Sequence, residues 1–492
     1  MAKPLGLADR AGFVVLGNTA QSLAQLATIV VLTRLFSRGD YGSYRQVWLV
    51  YFMLSPVLLL GVPSSVLYFL PRLESDERRR FALRTVCLLL VLGALLSVLI
   101  AGAAPLIAAR MHNPHLLALL RTFSLYALFA LPAAVLPNLL VAGGRHRAAG
   151  AITGGFALML AAGVITAAAT TQQVIWALRA AVGVAVLEGG VVIAVVLRTQ
   201  GFAFNLDWPA LRRQLAWSVP VGLSGTMTLL AKRISNAIVG LTHLPAEYAI
   251  YDVGAFEVPL VGVLTFSITT TLLPVFSGMH HRDEIGSLIR LWHESMRKVA
   301  LILFPLFALL FVLAPDLVVL VFSSKYAAST PIFRIYLLLL PLRTTVYSSV
   351  LVAAGETGLL MAGAVGFLFL AAGLTWALLG PFGMQGAAAA TVIATYILAV
   401  FYLAAVKRKL AVETKDIFPW RRVPGILAVA CVVGAAVWPL SLPHWALWPR
   451  MALLTVAYFA LYLSISRALG LLSTADLRLA YRWITLQALR QR

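Results

Sequence analysis

The run ALRTVCLLLVLGALLSVLIAGAAPLIAA, residues 82–109, decides the fold class. Its single charge, Arg84, lies at the start. About 20 predominantly apolar residues let a helix cross the ~30 Å hydrocarbon layer of a bilayer, and this run exceeds that. In lipid a segment must satisfy its own backbone groups, so the run is helical. Arg78, Arg79 and Arg80 crowd one end, whereas the other carries only Arg110. Basic clusters of that kind mark the cytoplasmic side.

The pattern recurs outward in both directions. Apolar stretches fall at 11–33, 44–70, 82–109, 122–142, 148–171, 174–197, 217–242, 249–273, 298–322, 332–354, 359–380, 384–406, 423–441 and 447–469, fourteen in all. The chain is 61% hydrophobic and 12% charged, with a mean hydropathy of +0.92. Soluble domains carry about 25% charged residues, so most of this chain must face lipid. The expectation is an all-α polytopic membrane protein with about 14 transmembrane helices.

The net charge of +21 suggests nucleic acid at first sight. The placement of the bases excludes that reading. With the N-terminus inside, the connections on the cytoplasmic side hold 27 Lys and Arg, and those outside hold 7: Arg34, Arg38, Arg45, Arg110, Lys325, Arg334 and Arg450. This asymmetry predicts that both termini are cytoplasmic. The stretch after Arg10 is expected to be the first helix rather than a cleaved signal peptide. Cys87 and Cys431 lie in apolar runs and indicate neither a disulfide nor a metal site. The longest connections, near 198–216, 274–297, 407–422 and the C-terminal tail, are too short for a catalytic domain.

The chain also repeats itself. Leu32-Thr33-Arg34-Leu35, followed by Asp40-Tyr41-Gly42-Ser43-Tyr44, is matched by Leu241-Thr242-His243-Leu244 and Glu247-Tyr248-Ala249-Ile250-Tyr251. Gly155-Phe156 with Leu160-Ala161-Ala162-Gly163 is matched by Gly366-Phe367 with Leu370-Ala371-Ala372-Gly373. The offsets are 207–211 residues, which cover six spans. Six is even, so both copies enter the membrane in the same direction, as in parallel-repeat transporters. The predicted organisation is a first lobe over 1–197 (helices 1–6), a cytoplasmic linker over 198–216 and a second lobe over 217–406 (helices 7–12). A basic linker over 407–422, helices 13 and 14 over 423–469 and a basic tail over 470–492 follow. The two six-helix lobes are related by a pseudo-two-fold axis along the membrane normal, and a substrate path is expected between them.

These features resemble the Wzx-like polysaccharide flippases of the multidrug/oligosaccharidyl-lipid/polysaccharide exporter superfamily. The resemblance is carried by Arg34-Leu35 with Asp40-Tyr41-Gly42-Ser43-Tyr44, and by Leu273-Pro274-Val275-Phe276. It is also carried by Phe322, Lys325-Tyr326, Pro331 and Arg334, and by Gly383-Met384-Gln385-Gly386-Ala387-Ala388. With the fourteen spans, it covers nearly the whole chain. The resemblance implies a bacterial cytoplasmic (inner) membrane protein that moves a polyprenyl-diphosphate-linked oligosaccharide to the outer leaflet, with no catalytic residue and no cofactor. Its expected partners are that glycan lipid, the bilayer, and a polysaccharide polymerase or other assembly proteins, around a monomer.

Ionisable groups at membrane depth cost at least ~2.5–3.5 kcal/mol and must face protein or water. Lys232 and Arg233 lie about ten residues from the outer end of the seventh span, roughly 15 Å deep. Arg343 lies at a similar depth in the tenth span, and Glu257 roughly 12 Å down the eighth. Three cations beside one anion suit a diphosphate. The competing reading is a structural salt bridge of Arg233 or Arg343 with Glu257 or Asp252. Asn18, Gln21, Gln25 and Thr28 share one face of the first helix and form a candidate glycan-facing wall, with interhelical packing as the alternative. Arg34 and Arg45 flank the first outer loop as interfacial anchors or phosphate contacts. Arg179 and Glu188 on the sixth span are too far apart to pair within that helix. Trp438, Trp445 and Trp448 suggest an aromatic belt.

No nucleotide-binding loop and no metal-ligand pattern is present, so transport must draw on an ion gradient, the membrane potential or product consumption. Glu257, Asp252 and Glu188 are the candidate ion-coupling carboxylates. Two alternatives remain. An ion-coupled exporter of the multidrug-and-toxin extrusion family would want an acidic rather than a basic cavity. A membrane polysaccharide polymerase or ligase would need a large outer loop.

Overall fold

The computed structural model describes residues 7–200, 207–345, 347–420, 422–441 and 446–473. Lys3, Arg421, Trp445, part of the 198–216 linker and the basic tail beyond 473 lie outside the described residues. Among the described residues the regular structure is helical throughout. The chain divides into two compact units, Met1–Ala255 with Ala364–Thr391, and Phe256–Gly363 with Val392–Arg492.

The first unit begins with α1 (Leu7–Leu35), α2 (Arg38–Leu59), α3 (Val62–Phe69), α4 (Ser75–Arg110) and α5 (Leu116–Ala133). It continues with α6 (Leu136–Ala142), α7 (His146–Thr171), α8 (Val174–Gln200), α9 (Trp208–Thr242) and α10 (Pro245–Gly254). Ser37 starts α2 by accepting from the Asp40 amide at 3.1 Å, which satisfies an otherwise orphaned donor. Asp40, in the first turn, also suits the positive helix end. The span ends in a break. Leu60 and Gly61 are both left-handed, and α3 leaves at 41° to α2. Gly61 is required there twice over, because a Cβ would also strike the backbone of Ser218 and Gly222 on α9. Val62, Val66, Leu89, Val135, Leu136 and Val192 are fully buried and fuse the helices around this break into one core.

α1 packs against α7 through small residues, as helices do where no hydrophobic force separates protein from lipid. Gly17 meets the backbone of Gly150, and a Cβ on Gly150 would strike the Phe13 carbonyl. Gly150→Leu is therefore expected to push α1 off α7. Overpacking of this kind costs about 1–3 kcal/mol, visible as a lower melting temperature of the detergent-solubilised protein. A variant that melts with the parent would show that this contact does not hold α1.

The second unit contains α11 (Pro259–His281), α12 (Ile285–Phe322), α13 (Thr330–Leu337), α14 (Tyr347–Ala353) and the ends of α15 (Thr357–Leu410). It closes with α16 (Thr414–Ile417), α17 (Arg422–Val437) and α18 (Leu447–Ala468). The middle of α15, 364–391, belongs to the first unit. α15 is interrupted at Gly383, whose φ of 58° and ψ of −148° are open to glycine alone. The interruption falls between the two expected spans 359–380 and 384–406.

Among the described residues nine helices are long and apolar enough to cross a membrane, or eleven when two bent pairs each count as one span. α15 holds both the eleventh and twelfth expected spans. The seventh and eighth fall on α9 and on α10 with α11, outside those eleven candidates. Each of the fourteen expected spans thus falls on helical segments, the eighth broken between α10 and α11 and the tenth between α13 and α14. The protein is an all-α polytopic membrane protein.

Candidate functional site

The structure brings several of the intramembrane charges to partners that lie far away in sequence. In the first unit, Arg45 on α2 grips Asp252 on α10 with both arms of its guanidinium. Nε donates to Oδ2 at 2.6 Å and Nη2 to Oδ1 at 2.9 Å. The Asp252 side chain is 5% exposed and that of Arg45 is 22% exposed, so the pair is held inside protein. Both groups pay for dehydration, and the bidentate geometry is what makes their burial tolerable.

The surroundings of the pair are polar and close-packed. Asn113, between α4 and α5, donates to Ser43 Oγ at 2.9 Å and to Gln46 Oε1 at 2.8 Å. Gln46 in turn donates to the Gly240 carbonyl at 3.4 Å. Gly42 lies against the Pro245 backbone, with no room for a Cβ. Composition gave no hint of this network, since a lone Asn in a connection and a lone Gln at the start of a span carry no sign of their partners.

On α9, Lys232 is exposed, and Arg233 is half-buried with its guanidinium 4.6 Å from the Phe52 ring. Asn18, Gln21 and Gln25 on α1 are exposed, whereas the Thr28 hydroxyl turns back to the Ala24 carbonyl at 2.8 Å. Arg34 is exposed and donates to the Val30 carbonyl at 2.8 Å. Glu188 on α8 is half-buried near Tyr51 and Tyr126, and no cation among the described residues forms an ion pair with it. Arg179 stacks on Trp176 at 4.5 Å.

Sequence reasoning also missed a buried hydroxyl cluster in this unit. Ser235 on α9 shares a hydrogen bond with Thr375 at 2.8 Å and accepts one from Thr391 at 2.7 Å. Thr375 bonds back to Ala371 and Thr391 back to Ala387. The cluster ties α9 to both halves of α15 without placing a charge in the core.

In the second unit, Arg343 donates through Nη2 to Glu257. Both stand where a span is interrupted. Glu257 lies in the non-helical stretch between α10 and α11, and Arg343 lies in the 3₁₀ turn Pro341–Thr344 between α13 and α14. Interrupted helices at membrane depth are where transporters place their binding groups. Unlike the Arg45–Asp252 pair, this one is open, with side chains 32% and 67% exposed. Arg334 packs over Phe311 and Trp438 and donates to the Phe311 carbonyl at 3.1 Å, which makes it an anchor. Arg450 pairs with Asp316.

The two acidic residues therefore differ in burial rather than in the kind of partner they hold. Glu257 takes Arg343, one of the pairings the structural alternative named, whereas Asp252 takes Arg45, which that alternative did not name. Glu257→Gln is expected to cost less than about 1 kcal/mol, because an exposed pair contributes little. The check is the thermal midpoint in detergent. A loss as large as that expected from Asp252 substitution would mean that the Arg343–Glu257 pair is buried.

No curated protein matches the sequence in a direct comparison. Solved structures match the fold. The lipid II flippase MurJ, in an inward closed conformation, is 13% identical with a TM-score of 0.72, over 92% of this chain and 99% of that one. An inward-facing multidrug resistance MATE family transporter is 14% identical with a TM-score of 0.61, over 80% and 94%. A transporter of the same MOP superfamily from Pyrococcus furiosus is 14% identical with a TM-score of 0.58, over 81% and 94%. At such identities the likeness is one of fold. The model of the polysaccharide biosynthesis protein family matches residues 31–331, well over half of the sequence, and the chain belongs to that family.

Proposed function

We propose that this protein is a flippase that carries a polyprenyl-diphosphate-linked oligosaccharide across the bacterial cytoplasmic membrane, with both termini in the cytoplasm. The observation that carries the reading is Lys232, an exposed cation about ten residues from the end of α9. At 1.5 Å per residue it sits roughly 15 Å along the helix, where bare lipid would be costly. Water and an anionic headgroup suit it, and a diphosphate offers charge-assisted hydrogen bonds to it and to Arg233.

Arg343, in the second unit, is a candidate phosphate contact in its own right. Its carboxylate partner is largely uncovered, so a diphosphate would compete with a solvated anion rather than a buried one. The exposed amides of Asn18, Gln21 and Gln25 offer donors and acceptors of the neutral kind that sugar hydroxyls need. MurJ, similar in fold, is a lipid II flippase, and the matched family is one of polysaccharide biosynthesis.

The test is accumulation. Cells lacking the protein should retain the lipid-linked oligosaccharide on the cytoplasmic leaflet and lose the surface glycan. The Asn18→Ala, Gln21→Ala, Gln25→Ala triple variant should slow glycan export roughly tenfold or more at normal membrane abundance, since each lost bond contributes about 0.5–1.5 kcal/mol. Full export by the triple variant would remove the α1 row from the substrate path.

One observation favours a second reading, a multidrug exporter. Glu188 is an acid at depth without a paired cation among the described residues, and a cationic drug would suit it. That reading gains if deletion sensitises cells to cationic drugs and leaves surface glycan unchanged.

A further inference from the structure

The sequence repeat and the buried ion pair share a number. Tyr41 and Tyr44 correspond to Tyr248 and Tyr251 at an offset of 207 residues. Arg45 follows Tyr44 and Asp252 follows Tyr251, so these two occupy the same place in the two copies. They are also each other's partners, 207 residues apart, at 2.6 and 2.9 Å.

That coincidence fixes geometry. Points related by a two-fold rotation are separated by twice their distance from the axis. Equivalent residues can touch only if they straddle it within a side chain's length, as at the centre of a two-fold dimer interface. The tyrosines agree with this placement. Tyr41 and Tyr248, themselves equivalent, are both fully buried, and both lie in the neighbourhood of the Arg45 guanidinium. Identical charges on such an axis would repel. Here one copy carries arginine and the other aspartate, which turns a self-contact into an attraction.

We infer that Arg45 and Asp252 lie on the local two-fold axis relating the α1–α2 block to the α9–α10 block, and that they form a latch which holds α2 and α10 together and must part during transport. The role in transport rests on the flippase reading, whereas the axial position does not. The latch sits near the short Phe36–Ser37 and His243–Leu244 turns, at the end of the helices opposite the basic connections. The close approach of Gly42 to the Pro245 backbone lets the two helices meet there without intervening side chains. A bidentate ion pair suits a latch because it is strong while aligned and is lost over a small displacement.

The test uses the full chain in liposomes, with Cys87 and Cys431 changed to serine and spin labels on Arg38→Cys and Leu244→Cys, both at exposed positions. The parent should show mainly a short inter-label distance. Asp252→Asn should raise the ratio of long to short distances at least about tenfold. The exchange Arg45→Asp with Asp252→Arg should return it towards the parent. Should Asp252→Asn fail to fold, Arg45→Lys keeps the charge but loses the fork, and carries the same expectation in smaller measure. An unchanged distribution in every folded variant overturns the latch, as does an exchange variant that folds but stays long. Translocation of lipid-linked oligosaccharide is measured in the same vesicles. Shifted distances without translocation by the parent keep the latch and remove the flippase reading. Translocation with unchanged distances does the reverse.

Discussion

Asp252→Asn will strip the protein of much of its folded population. The Asp252 carboxylate is almost wholly buried and takes both arms of Arg45, so its loss leaves a guanidinium inside protein with no counter-charge. Stranding one partner of a buried pair costs about 3–5 kcal/mol, against total stabilities of about 5–15 kcal/mol. Arg45→Gln in the same protein should restore part of the loss, because the pair costs less to remove whole than to halve. The readout is the fraction of monodisperse protein that survives graded heating in detergent. A single variant as heat-stable as the parent would show that the Arg45–Asp252 contact contributes nothing to the fold.

The second large effect falls on transport and spares the fold. Lys232→Gln, Arg233→Gln and Arg343→Gln should each lower translocation by about ten- to a hundred-fold where the residue touches diphosphate, since a hydrogen bond to a charged group contributes about 1.5–3 kcal/mol. Membrane abundance should stay near normal, because Lys232 is exposed and Arg343 leaves behind a carboxylate that is 67% exposed. Arg343→Lys separates two roles. A bidentate phosphate site is crippled by it, whereas a simple need for positive charge is not. Normal export by all three Gln variants at normal abundance would remove these cations from the substrate site.

The helices were legible and their partnerships were not. Hydropathy located all fourteen expected spans, because lipid forces each apolar run to satisfy its own backbone. The breaks were only partly visible. Gly61 and Gly383 are glycines with positive φ, but nothing local distinguishes them from the many glycines inside intact helices. The break around Glu257 was hidden inside a span counted as continuous, 249–273. Depth counted along continuous helices made candidates of Lys232, Arg233, Arg343 and Glu257; the first two do lie on α9, whereas Glu257 falls in a break and Arg343 in a 3₁₀ turn. Which arginine meets which carboxylate depends on tertiary packing, so Arg45, placed at an outer loop by its position, turned out to be bound to Asp252. The hydroxyl cluster of Ser235, Thr375 and Thr391 was out of reach for the same reason, because single hydroxyls in apolar helices usually bond to their own backbone.

Cargo separates a flippase from a drug exporter. Full-length protein reconstituted into vesicles, with polyprenyl-diphosphate-linked oligosaccharide in both leaflets, can be probed with a membrane-impermeant reagent that modifies only outward-facing glycan. The prediction is that the protein lets the reagent reach the inner-leaflet pool, that Lys232→Gln slows this at least about tenfold, and that a cationic drug dye is not moved. Protection of the inner pool equal to that in protein-free vesicles, together with movement of the dye, would contradict the flippase reading.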